Sequence, residues 1–312
     1  MPTRSRRVTL AVAALLSGLG TVTVPVAQAA QDAGCAHTKI FEVGGAGDGQ
    51  GLVYDEFNAG VPAGVETEKI VYAAEIAPFP GHEKTMDQSV EEGMAALEEA
   101  VLRFAESCED STVIIVGYSM GALVAGNVLD TFAEGEQIPH EVLKGVLYGD
   151  PRRPGDPASG SDGSAGGGAG GVATNIPTFF PGMTLQGPRP GDGEVAVTQI
   201  CNQNDGICNS VNPFTNAPAF ANGWAGYLNG AHAYDIDPLR DVDRPDIFLT
   251  QPPLIPYGPP LPLSLPNPYE LADGDIELSQ NVVRQVRDAL RAALPQPMWQ
   301  RLVERLPWLD HL

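Results

Sequence analysis

Val113-Ile114-Ile115-Val116-Gly117-Tyr118-Ser119-Met120-Gly121 is the stretch on which the reading of this chain turns. Its first four residues are apolar without alternation, the pattern of a central parallel strand covered on both faces. A serine then sits between two glycines, and Ala122 to Leu129 continues in small and aliphatic residues compatible with a helix. Strand, Gly-x-Ser-x-Gly turn and helix in immediate succession form a nucleophile elbow. The sharp bend lifts the Ser119 hydroxyl out of the sheet, while Gly117 and Gly121 remove side chains that the bend would crowd. An ordinary strand-to-helix turn with an incidental serine is the plain alternative.

The flanking sequence repeats the strand and helix alternation. Lys39 to Val43 runs into Gly44-Gly45-Ala46-Gly47, a strand followed by a strand-end loop, and Glu68 to Tyr72 reads as a second strand. From Ser89 to Phe104 the apolar residues Val90, Met94, Leu97, Val101 and Phe104 recur at helical spacing, with Ser89 and Glu92 as a capping box. Leu143 to Tyr148 is the next strand, ending at Gly149-Asp150-Pro151, and Glu194 to Ile200 leads as a strand into Cys201. This order predicts an α/β fold with a mostly parallel, doubly wound central sheet flanked by helices.

The 312 residues suffice for one catalytic domain, placed at residues 31–296. Before it, Arg4, Arg6 and Arg7 precede an apolar run from Val8 to Leu19 and small residues at Ala27, Ala29 and Ala30. Residues 1–30 therefore read as a cleaved secretory signal, its apolar part too short for a good membrane span. Residues 154–173 are rich in glycine, serine and aspartate and read as a flexible surface loop, and 251–268 form a proline-dense, extended insertion. Ile276 to Leu294 returns to helical spacing, and 297–312 are left as a C-terminal tail.

The net charge of −21 opposes binding to nucleic acid or to an anionic membrane, though it identifies no substrate. Four cysteines, Cys35, Cys108, Cys201 and Cys208, follow the signal segment, and an even count in an exported chain points to two disulfides. Metal binding is the rival use of cysteine, but no Cys-x-x-Cys spacing or histidine cluster supports a site. No metal and no organic cofactor is expected.

A serine hydroxyl becomes a nucleophile only beside a base, and in this fold the chain order is serine, acid, histidine. Of the five histidines, His37 and His82 precede Ser119, His140 falls at the far edge of the sheet, and His311 is penultimate. His232, in Asn229-Gly230-Ala231-His232-Ala233-Tyr234, is left as the base. Asp205, inside Cys201-Asn202-Gln203-Asn204-Asp205-Gly206-Ile207-Cys208, is the leading acid, since a short disulfide loop would hold its carboxylate against the imidazole. Asp150 competes for that role. The backbone N–H groups of Met120 and Gly45 are the candidates for an oxyanion hole.

The order Cys35, Cys108, Ser119, Cys201, Asp205, Cys208, His232 resembles the cutinase family and its actinobacterial relatives, including the PE-PPE serine hydrolase domain, over roughly residues 35–235. Tyr72 to Gly81, Asp87 to Leu97 and Gly149 to Pro154 look closer to PE-PPE domains than to fungal cutinases. The resemblance implies a cutinase-like α/β-hydrolase fold, disulfides Cys35–Cys108 and Cys201–Cys208, and a Ser119, Asp205, His232 triad. It further suggests fatty-acyl or other lipid esters, cell-envelope lipids among them, as substrates; with the signal at residues 1–30, an exported esterase is expected, acting as a monomer. An acyltransferase using the same acyl-enzyme, or a non-enzymatic envelope-binding protein on the same fold, are the competing functions. Two positions depart from the family: Met120 replaces the glutamine common after the nucleophile, and Gly45 stands where cutinases carry a hydroxyl residue.

Overall fold

The computed structural model describes residues 34–156, residues 168–257 apart from 179, 192, 214 and 215, and residues 291 and 296–305. The signal segment, the centre of the glycine-rich stretch, most of the proline-rich stretch and nearly all of the 276–294 segment lie outside the described residues.

Six strands form one sheet: β1 (Thr38–Val43), β2 (Val65–Ile70), β3 (Thr112–Tyr118), β4 (Leu143–Tyr148), β5 (Ala196–Asn202) and β6 (Ile247–Leu249). They lie in the order β2-β1-β3-β4-β5-β6, and every neighbouring pair is parallel. The run at Val113–Val116 is therefore an inner strand between β1 and β4, which is why it carries apolar residues on both faces.

Its alternate residues serve two cores. Val113 and Ile115 join Phe41, Val43, Leu143 and Leu147 under α2 (Met86–Ser107) and α3 (Met120–Glu134). Ile114 and Val116 face the other way, with Ile40, Val146, Tyr148 and Ile200. That second face is closed by Tyr54, by Val53 and Phe57 around the short α1 (Asp55–Asn58), and by the 234–242 segment containing α6 (Pro238–Asp241). Each fully buried Ile, Leu or Val contributes about 1.5–3 kcal/mol relative to exposure, so the two-sided strand anchors the domain.

Several boundaries move from their expected places. The second strand lies at Val65–Ile70, earlier than Glu68 to Tyr72, because its pairing to β1 begins at Thr38–Val65. α2 starts one turn before Ser89: Thr85 is the N-cap, accepting from Gln88 N–H while the Gln88 side chain accepts from Thr85 N–H. Ser89 is instead buried, its hydroxyl accepting from Glu75 N–H. β5 extends two residues further than expected, taking in Cys201 and Asn202.

The described flank of the glycine-rich stretch is not a surface loop. Gly168, Gly170 and Gly171 are buried, and a Cβ on Gly171 would stand 2.0 Å from the Pro151 carbonyl oxygen. Glycine permits backbone to lie directly on backbone there, and the segment enters α4 (Val172–Asn175). Past α5 (Ala217–Leu228), residues 296–305 form a helix, α7 (Gln296–Arg305), where a tail was expected. Trp299 of α7 packs into a small cluster with Ile176, Phe220, Ala221 and Ala225.

Both expected disulfides are present, Cys35–Cys108 joining the start of β1 to the end of α2 and Cys201–Cys208 closing the loop after β5. Among the described residues no helix is long and apolar enough to cross a membrane.

Candidate active site

Ser119 sits at the C-terminal end of β3 with φ 57° and ψ −123°, a strained conformation for a non-glycine residue. Its N–H donates to the Tyr148 carbonyl at the end of β4 (2.9 Å), and its own carbonyl accepts from Ala122 and Leu123 N–H as α3 begins. The bracketing glycines are sterically required: a Cβ on Gly117 would lie 2.3 Å from the Gly121 carbonyl oxygen, and one on Gly121 would lie 2.1 Å from that of Val43. The elbow is thus pressed against the end of β1.

That contact brings the glycine loop to the serine. Tyr54 donates to the Val43 carbonyl (2.9 Å) and Tyr72 to the Gly44 carbonyl (2.6 Å), fixing the peptide planes entering the loop. Asp48 N–H donates to the Gly45 carbonyl (2.9 Å). A Cβ on Gly45 would stand 3.0 Å from both Ser119 Cβ and Tyr118 Cδ1, so the Gly45 backbone borders the elbow directly. Met120, the first residue of α3, is buried beside it.

Asp205 and His232 meet across the loops that follow β5 and α5. The Asp205 carboxylate is fully buried, and His232 Nδ1 lies 2.7 Å from its Oδ2. A carboxylate only accepts, so Nδ1 carries the hydrogen and Nε2 of the neutral ring presents its lone pair. Nε2 is buried and has no hydrogen-bond partner among the described residues. Tyr118, the residue before the nucleophile, donates to the His232 carbonyl (2.9 Å), and its ring lies 5.0 Å from the imidazole, centroid to centroid. Ser119, Gly45 and His232 therefore all gather around Tyr118. Burial raises the Tyr118 phenol above its ordinary pKa, with the neighbouring Tyr227 and Asp205 adding to the effect, so it remains a donor.

The loop carrying Asp205 is held by more than its disulfide. Ile207 N–H donates to Asp205 Oδ1 (2.9 Å), and the Tyr234 hydroxyl donates to Oδ2 (2.5 Å). Behind the loop, Gly223 and Gly226 let α5 lie backbone to backbone on it: a Cβ on Gly226 would fall 1.9 Å from the Asn204 carbonyl oxygen. Asn202 Nδ2 donates to the Ala231 carbonyl (2.5 Å), tying the histidine loop to the end of β5. The start of the proline-rich stretch closes over this region, where Asn204 Nδ2 donates to the Pro252 carbonyl and Ile255 N–H to Asn222 Oδ1.

Asp150, the competing acid, has another partner. Arg189 grips it with Nε at 2.7 Å and Nη2 at 3.1 Å, and Arg152 N–H donates to it at 3.0 Å. Arg189 also reaches Asp130 (3.0 Å) and the Ala122 carbonyl (3.0 Å) on α3. Burial opposes the charge on Arg189, but Asp150 and Asp130 together hold its pKa above the ordinary value. Arg189, Arg152 and Tyr234 were not singled out by sequence reasoning, and for Arg189 no local motif could have found it, because Asp150 and Asp130 are 39 and 59 positions away. Tyr234, two residues after His232, carried a faint signal.

A parallel sheet with a strained Ser119 on the elbow of its central strand, and a buried Asp–His pair in the loops beyond, defines an α/β-hydrolase fold. The pattern of the PE-PPE domain matches residues 63–252, more than half of the chain, and the chain belongs to that family. A Corynebacterium glutamicum protein named carboxylesterase Culp6 homolog is 34% identical over 181 residues, which is 54% of this chain and 55% of the relative. The chain thus spans about half the length of the curated relative it matches. Among solved structures, a cutinase-like protein from Cryptococcus sp. is 17% identical at a TM-score of 0.40, covering 57% of this chain and 81% of its own. The catalytic core of an acetyl xylan esterase from Trichoderma reesei is 22% identical at a TM-score of 0.39, covering 63% and 96%.

Proposed function

We propose that this chain is an exported serine esterase that cleaves carboxylic esters, of acyl or lipid type, through an acyl-enzyme. The observation that carries the reading is the buried Asp205–His232 pair at 2.7 Å with a bare Nε2, resting on the tyrosine that precedes the strained Ser119. The carboxylesterase name of the 34% identical relative supports the same reaction class. Two disulfides support an oxidising, extracytoplasmic location, in keeping with the signal-like sequence at residues 1–30.

In this mechanism His232 Nε2 takes the proton from Ser119 Oγ as that oxygen attacks the ester carbonyl. Asp205 keeps the imidazole in the required tautomer and offsets the positive charge it gains. The carbonyl oxygen becomes an oxyanion, met by the N–H groups of Met120 and Gly45. The C–O bond to the alcohol then breaks, the alcohol leaves with the proton from His232, and an acyl-Ser119 ester remains. Water, deprotonated by the same histidine, repeats the attack and releases the acid.

Labelling with a fluorophosphonate and turnover of p-nitrophenyl esters of increasing acyl length test the proposal. Wild type should label and turn over, and Ser119→Ala should lose the label and about 10⁴-fold or more of kcat. Labelling that persists unchanged in Ser119→Ala would overturn the nucleophile assignment, and a folded wild type that neither labels nor hydrolyses would overturn the activity.

A further inference from the structure

Asp205 Oδ2 receives two donors: His232 Nδ1 at 2.7 Å and the Tyr234 hydroxyl at 2.5 Å. The phenol has a single hydrogen, and its direction is set by its surroundings. Asn202 N–H donates to the phenolic oxygen at 3.2 Å, occupying its acceptor side, and of the acceptors left for its hydrogen the charged carboxylate at 2.5 Å prevails over the weakly accepting disulfide sulfur of Cys208 at 3.3 Å. The ring is held among those of Tyr118 (6.3 Å), Tyr148 (6.0 Å) and His232 (5.9 Å). Burial, reinforced by the Asp205 charge, pushes the phenol well above its ordinary pKa, so it stays protonated wherever an imidazole can act as a base.

We propose that Tyr234 is a positioning residue that sets the proton affinity of His232 through Asp205, a role that rests on the triad reading above. A hydrogen bond to an ionised acceptor stabilises its charge, and here it draws charge from the very oxygen that faces the imidazole. Asp205 then stabilises the imidazolium less than it would with His232 as its sole side-chain donor. Removing the Tyr234 hydroxyl should therefore strengthen the hold of Asp205 on the imidazolium. The other titratable groups about the pair do not duplicate this bond. Arg153 acts on Asp205 only through its charge, since its Nε donates to the Cys208 carbonyl (2.9 Å). Tyr118 donates to the His232 carbonyl, and Tyr227 meets the imidazole ring to ring at 5.1 Å.

Tyr234→Phe keeps the ring and removes the hydroxyl. The test is a ¹H–¹⁵N NMR titration of the His232 imidazole in the full disulfide-bonded chain, alongside kcat/KM against pH for p-nitrophenyl butyrate. The His232 pKa and the acid limb of kcat/KM should rise together by about half a pH unit, and by no less than about 0.3. A smaller rise, or a fall, would overturn the proposal. Site-specific 3-fluorotyrosine at position 234, a stronger donor of nearly the same shape, should shift the same pKa downward, and it decides the matter if Tyr234→Phe does not fold. An upward or absent shift there counts against the role. A wild type without esterase activity would defeat the triad reading alone, since the NMR titration measures the coupling of Tyr234 to His232 regardless of turnover.

Discussion

Gly126→Ala on α3 should destabilise this protein although alanine is the better helix former. The new Cβ would stand 2.0 Å from Arg189 Cζ, 2.1 Å from Nη2 and 2.4 Å from Nη1. Ordinary contact requires the guanidinium to retreat by well over an ångström, and it is not free to do so. It holds Asp150 with two bonds, Asp130 with a third and the Ala122 carbonyl with a fourth. Losing one or two hydrogen bonds to charged groups costs about 1.5–3 kcal/mol each, and alanine returns about 1 kcal/mol of helix propensity. The net loss is then about 0.5–2 kcal/mol if one bond goes and about 2–5 kcal/mol if two do. With Arg189→Ala already in place the obstruction is gone, and adding Gly126→Ala should raise stability by up to about 1 kcal/mol. Urea unfolding of the four proteins of this cycle, with disulfides intact and followed by far-ultraviolet circular dichroism, reads both signs. A stabilising Gly126→Ala in the wild type, or the same effect within about 0.5 kcal/mol in both backgrounds, would refute the reasoning.

Two further outcomes follow from buried positions. Gly45→Ser restores the hydroxyl residue of cutinases, yet its Cβ would press at 3.0 Å on Ser119 Cβ and on the Tyr118 ring that borders His232. Displacing these groups by a few tenths of an ångström should lower kcat roughly tenfold, and a measured increase would contradict the geometry. Glu42, fully buried in β1, has its pKa raised to about 7 by burial, against the lowering effects of the Asn58 hydrogen bond and Lys69. A raised carboxyl holds its proton in the folded chain while the unfolded chain ionises near 4.5. Stability from this group is therefore complete below about 4.5 and is lost as pH rises to about 7. Glu42→Gln should remove that slope, worth about 3 kcal/mol. Equal pH dependence of unfolding in wild type and Glu42→Gln would refute it.

Local signals carried the architecture because they are local in cause. The unbroken apolar run before Gly117 has one stable use, an inner parallel strand, and the glycine spacing is readable because the bend it serves spans five residues. The same reasoning misplaced the cap of α2, since Ser89 and Glu92 satisfy the capping pattern as well as Thr85 and Gln88 do. Only burial of Ser89 against Glu75 separates the two. The described flank of the glycine-rich stretch departs from expectation for a related reason: composition cannot tell glycine that frees a chain from glycine that lets Gly171 lie on Pro151.

Residue type and chain order named Ser119, His232 and, with Asp150 still in competition, Asp205, while family likeness implied the pairing of the four cysteines. These depend on residue type, spacing and family likeness, which a chain displays before it folds. Tertiary structure decided the rest. Asp150 and Asp205 are both aspartates near strand ends, and they are told apart only by Arg189 reaching one and His232 the other. Tyr234 gains its place on Asp205 only when β5 and the loop after α5 close on each other. Hydrogen bonds between residues 29 or 39 positions apart are made by packing, and packing leaves no periodicity in the sequence to read.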